Sequence, residues 1–171
     1  MPIFSHMFSG LLLGKEKKRP EPLVIEDELG SFTMKNPEKD HFFSGSIDLP
    51  FGKVDVLLEP DGKPSATAQK ALQHLHTFVP KAADWDGRIK KAAADEFAEK
   101  NGTVETWGGS DSEGETISKE EFMRRIAMNF ICFYSDGSLF FDYYLDDIYT
   151  DHGLGVNADI SGKIESCALW G

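Results

Sequence analysis

The chain has two cysteines, Cys132 and Cys167, and neither sits in a Cys-x-x-Cys pair. That excludes the disulfide framework that staples small secreted domains, and both thiols are expected to be buried and reduced. Long apolar runs are missing as well. Near the N-terminus Leu11-Leu12-Leu13 is broken upstream by His6 and Ser9, and Lys15, Lys17, Lys18 and Arg19 follow it, where a secretory signal would carry its charges first. No stretch approaches the roughly 20 apolar residues of a membrane-spanning helix. A cytoplasmic protein without a membrane partner is expected. Basic side chains are scarce too, 18 Lys and Arg against 29 Asp and Glu, for a formal charge of -11. Such a chain is a poor phosphate-neutralising surface, so no direct nucleic-acid partner is expected.

What is present is core-forming material. Hydrophobic residues make up 40% of the 171 positions and include 13 Phe, 4 Tyr and 3 Trp, enough to fill one core. Residues 1–22, with "KEKKRPEP" and its two prolines, read as a loosely ordered leader, and residues 23–171 as a single domain. Trp85, Trp107 and Trp170 are expected to anchor the core.

Periodicity gives the order of elements. "LGSFTM", "FFSGSIDL" and "KVDVLLEP" read as strands, with Val54, Val56 and Leu58 alternating against Lys53, Asp55 and Leu57. Ala68, Ala71, Leu72, Leu75, Phe78 and Val79 then recur at helical steps, as do Trp85, Ile89, Ala92, Ala93 and Phe97 up to a stop at Lys100-Asn101-Gly102. Ser118 and Glu121 have capping-box spacing and predict a short third helix through Ile126. "FICFY", "SLFFDYYL", "HGLGVNADI" and "KIESCALW" follow as strands, the first two joined by a two-residue turn at Asp136-Gly137. The expectation is an α+β fold: an antiparallel sheet with N-terminal strands, three central helices and a C-terminal four-stranded meander.

Three strings test for chemistry. Gly153-Leu154-Gly155-Val156-Asn157-Ala158 matches the dinucleotide fingerprint as letters, but Ser161-Gly162 turns the chain back where that site needs a helix. The loop 109–120, "GSDSEGETISKE", has Gly and Glu at the sixth and twelfth EF-hand places and Gly109 where the first ligand belongs, so it reads as an acidic loop. Between residues 142 and 152, a metal would need Asp147, Asp151 and His152 to converge with other carboxylates. Pairing the face of Leu139, Phe141, Tyr143 and Leu145 with that of Leu154, Val156, Ala158 and Ile160 sends Asp142 and Asp146 to the opposite side from His152. A weak divalent-cation site at Asp147, Asp151 and His152 stays as the alternative. No metal or other cofactor is the main expectation, and no catalytic residue is assigned.

"GSFTM", "FFSGSIDLPFGKVDVLLEPDG", "SKEEF" and "SDGSLFFDYYLDDIYTDHGLGVNADISGKIESCALWG" together resemble an uncharacterised bacterial family of domains of unknown function, the one numbered 2262, with immunity-protein-like relatives. The likeness runs from about Leu29 to Gly171 and carries no catalytic signature. It implies a cytosolic protein that binds and blocks a cognate antibacterial toxin. The acidic charge suits a toxin with a basic active-site cleft, because opposed charge speeds association. Asp142, Tyr144 and Asp146 on one strand face, with Asp147, Tyr149 and Asp151 in the next loop, are the expected partner-binding residues, since acidic and tyrosine side chains suit that task. Alternatives from other classes are a divalent-metal-dependent hydrolase and a small-ligand sensor.

Overall fold

Eight strands lie side by side in sequence order in the computed structural model, which describes residues 20–62, 67–99, 116–146, 148 and 152–171. The first four are β1 (Leu23–Asp27), β2 (Gly30–Met34), β3 (Phe43–Leu49) and β4 (Gly52–Leu58). Helix α1 (Gln69–Phe78), a 3-10 turn at Val79–Lys81, α2 (Ala82–Phe97) and α3 (Lys119–Arg125) come next. The chain returns as β5 (Ala127–Phe133), β6 (Ser138–Tyr144), β7 (Gly153–Asp159) and β8 (Ile164–Trp170). Each half is an antiparallel meander, and the two are joined where Asp55–Leu58 runs parallel to Phe130–Phe133.

The α+β class and the C-terminal meander agree with the sequence reading, and three details do not. The sheet is mixed rather than antiparallel throughout, because the crossover returns β5 in the direction of β4. A fourth N-terminal strand, β1, precedes the three expected. Among the described residues two helices, not three, form the central layer; the capping-box segment makes a seven-residue α3 that ends at an extended Ile126 and runs straight into β5. Its cap is as anticipated, with the Ser118 hydroxyl accepting from the Glu121 N–H at 3.2 Å. Helix α2 ends ahead of the expected glycine stop, at Phe97, since Ala98 is extended and Glu99 takes a left-handed φ of 59°.

The helices cover one face of the sheet. Ala71, Leu72, Leu75 and Phe78 of α1 and Ala82, Trp85, Ile89 and Ala93 of α2 are buried against Val54, Val56, Leu58, Ile131, Phe133, Leu139, Phe141 and Val156. An aromatic cluster pins the two layers, Phe78 lying 5.6 Å from Phe133 and 5.9 Å from Phe141, and Trp85 lying 5.6 Å from Phe141. Helix α1 has no cap of its own at Ala68. Asp61 supplies one from the preceding loop, accepting from the N–H groups of Gln69 and Lys70 at 2.7 and 3.0 Å. Partial burial raises the Asp61 carboxyl, but those donors and Thr67 outweigh it and hold the group below its ordinary value. Its stabilising contribution is therefore present above the ordinary carboxylate pKa and is lost as pH falls through the lowered one.

Two of the three C-terminal hairpins, β5–β6 and β7–β8, turn on the same device. Gly137 follows the central pair Ser135-Asp136 with φ 92°, its N–H bonded to the Tyr134 carbonyl, so the turn is one residue longer than the expected Asp136-Gly137 pair. Gly162, φ 107°, does the same between Asp159 and Lys163. The Ile160 N–H donates to the Gly137 carbonyl at 2.9 Å and ties the two turns together.

Tyr143 is fully buried beneath α2 and donates to Asp86, which also holds Lys90 at 3.1 Å. Burial, then the Asp86 charge, pushes the phenol far above its ordinary value, so it is a neutral donor at any working pH. Tyr143→Phe should cost about 1 kcal/mol of unfolding free energy, because one net hydrogen bond is lost while the ring still packs. Asp86→Ala strands both the phenol and the ammonium and should cost about 3 kcal/mol. Urea denaturation decides it; equal costs for the two variants would contradict this account.

Candidate binding face around Asp142 and Trp170

Side chains that point away from the helices form two zones. In the N-terminal half they are Val24, Glu26, Ser31, Thr33, Ser44, Ser46, Asp48, Lys53 and Asp55, mostly exposed and polar. In the C-terminal half aromatic side chains stand among them. Phe130, opposite Asp142, and Phe140, opposite Cys132, lie with ring centroids 5.9 Å apart. One register step along β6 brings Tyr144, 56% exposed, level with Gly153, which pairs with Trp170, 50% exposed.

Asp142 sits at the centre of this zone and is 4% exposed. One carboxylate oxygen accepts from Asn129 Nδ2 at 2.7 Å and the other from the Trp170 indole N–H at 3.1 Å. Asn129 reaches it because the β5–β6 register shifts between Met128 and Phe130. Both oxygens thus accept from N–H donors, the arrangement of an ionised carboxylate. Trp170 reaches it because β7 presents glycine twice on this face. A Cβ on Gly153 would lie 3.1 Å from both the Asp142 Oδ1 and the Trp170 Nε1, and one on Gly155 would lie 2.9 Å from Phe140 and 3.3 Å from Trp170. The bare strand is the bed on which the indole lies.

The anionic centre acts on its neighbour Cys132, a buried thiol one row away. Desolvation first, and the Asp142 charge second, push that thiol up to about 11 against a smaller pull from Tyr134. Cys167, half-buried on β8, is also raised, by burial and by Glu96. Neither thiol is in a disulfide.

The residues expected from sequence to meet a partner fall in different settings. Tyr144 is exposed on the aromatic zone, opposite the helices rather than beneath them. Asp142 lies on the same face but is buried and engaged. Asp146 is exposed, with φ 44°, and is held by Arg125, whose Nε lies 3.1 Å from the carboxylate and whose second nitrogen bonds the Asp146 carbonyl. Asp147, Tyr149 and Asp151 lie outside the described residues, as do Trp107, residues 109–115 and the glycine stop at 100–102. His152 packs near Gly171, with no group of three metal-ligating side chains among the described residues. The dinucleotide reading fails on geometry: Gly153 and Gly155 are inside β7, which leads by a hairpin to β8. Trp85 is a core anchor as expected, whereas Trp170 is not; an indole on an edge strand has solvent on one side. Sequence reasoning missed Trp170, Asn129 and the glycine bed. Two glycines spaced for one strand face were the available signal, since such spacing marks close approach of a side chain.

A family model described as "Uncharacterized protein conserved in bacteria (DUF2262)" matches residues 26–169. The chain belongs to this family. No curated protein and no solved structure matches it. The DUF2262 span runs from within β1 to within β8 and takes in Asn129, Asp142, Tyr144, Gly153 and Gly155, with Trp170 one residue past its end. No helix among the described residues is long and apolar enough to cross a membrane.

Gly155→Ala should destabilise this DUF2262 domain by about 1–2 kcal/mol, although alanine suits a strand better, because the added methyl overpacks Phe140 and Trp170. Higher stability than wild type in chemical denaturation would refute the glycine bed. At pH 8.5 well under about 1% of Cys132 should be thiolate, so a neutral alkylating reagent should modify it far more slowly in the folded than in the urea-unfolded protein.

Proposed function

We propose that this DUF2262 domain is a cytosolic protein-binding module, an immunity protein that neutralises a cognate antibacterial toxin by laying against it the sheet face that the described helices leave uncovered. The observation that carries the reading is Trp170, half-exposed yet fixed through its N–H by a buried carboxylate. Aromatic anchors held in place before contact lose little entropy on binding, and Trp and Tyr are enriched among the residues that dominate interfaces. Tyr144 stands beside it as a second anchor. Glu26, Asp48 and Asp55 against Lys53 leave the flanking zone acidic, in keeping with a charge of -11 and with a basic cleft on the toxin. The toxin-neutralising part of the reading rests on the resemblance of the sequence to immunity-type relatives.

Co-expression with the product of the adjacent reading frame tests it. That product should arrest growth alone, and this protein should restore growth and form a complex that weakens as salt is raised from about 50 to 500 mM. No rescue and no complex, together with a raised melting temperature on adding Mg²⁺, Mn²⁺ or Zn²⁺, would overturn the reading in favour of the metal site at Asp147, Asp151 and His152.

A further inference from the structure

We infer that the face around Trp170 and Tyr144 is a receptor for one arginine side chain of a protein partner, stacked on the indole with the Asp142 carboxylate behind it. The inference rests on the protein-binding reading above and adds the chemistry of the group recognised. Two charged side chains are buried among the described residues, Asp86 and Asp142. Asp86 has its cation, Lys90, at 3.1 Å. Asp142 is bonded by Asn129 and Trp170, both neutral, and no hydrogen bond or ion pair links it to a Lys, Arg or His among the described residues. A buried carboxylate without a counter-charge is costly, so a cation arriving from outside gains what the fold itself leaves unspent.

The route for that cation is the indole. An N–H that donates to an anion is polarised and pushes electron density into the ring, which strengthens the attraction of its face for a positive group. Half of Trp170 is open to receive one. Tyr144 and Trp170 are separated on this face by Gly153, so their Cα atoms stand two strand spacings apart, roughly 10 Å, and the row between them carries no side chain. A flat guanidinium suits such a place better than a compact ammonium, because it stacks on rings while its edge donates hydrogen bonds. The protein already uses this pairing within its own fold, where the Arg88 guanidinium carbon lies 5.2 Å from the Trp85 ring centre.

The test is a titration of the ¹⁵N-labelled full-length protein with a short acetylated, amidated Gly-Arg-Gly peptide, and with the same peptide carrying neutral citrulline for arginine. The Trp170 indole resonance, assigned by its loss in Trp170→Phe, should move with the arginine peptide and stay in place with citrulline. Tyr144→Ala, at an exposed position that leaves the fold intact, should weaken binding at least about threefold. Asp142→Asn, which removes the charge and keeps the shape, should weaken it about tenfold. Equal movement with both peptides, or movement with neither, overturns the proposal. Rescue from the adjacent gene's product that is undiminished in the Trp170→Phe, Tyr144→Ala double variant of this protein also overturns it, and leaves protein binding standing. An arginine-selective shift without any rescue by the wild-type chain supports the receptor and removes the immunity reading.

Discussion

Four residues of β4 beside four of β5 run parallel, and that pairing joins two meanders that otherwise meet no partner strand. A parallel neighbour cannot be reached by a tight turn; the chain has to cross over one face of the sheet to come back in the same direction. The crossover is α1 and α2, and the cluster of Phe78, Trp85, Phe133 and Phe141 is the cement it brings. Because α1 and α2 cover one face, the side chains of the other are given different work. The two faces of β6 show the division: Leu139, Phe141 and Tyr143 serve the core, and Phe140, Asp142 and Tyr144 serve the opposite side.

The two buried aspartates show how the same group takes on different roles. Asp86 bonds a buried phenol and a lysine on its own helix, so its charge is neutralised locally and its task is to fasten α2 to β6. Asp142 is also buried and similarly hydrogen-bonded, but no cation among the described residues bonds it, so its charge is felt outward, at the Cys132 thiol and through the indole it holds. Location on the sheet explains the difference. A carboxylate under a helix meets that helix's own i+4 lysine, and one under an edge tryptophan meets an aromatic ring and then solvent.

How much of this could be read from the sequence depended on range. Helical spacing in α1 and α2, the Ser118 cap and the pairing of Phe141 with Val156 were legible, because each rests on residues close in sequence or on alternation that only one register can bury. Strand β1 was not: Leu23–Asp27 is short, follows two prolines and shows Val24 to solvent, as an edge strand does. The parallel pairing was not legible either, since β4 and β5 each look the same whichever neighbour they choose. Of the face, Tyr144 was found by alternation from Asp142. The burial of Asp142 was hidden, because it depends on a tryptophan from another strand and on glycines whose contribution is the absence of a side chain.

The knot between the Tyr134–Ser138 and Asp159–Lys163 turns bears on how the chain finds its fold. Turns that lock to each other hold β6 and β7 in register at that end, using loops of a few residues, whereas aligning β4 with β5 closes a loop of more than seventy. Closing short loops costs little chain entropy and closing long ones more. Each meander can thus close through short loops, and the alignment of β4 with β5 is the closure that carries the larger entropic cost.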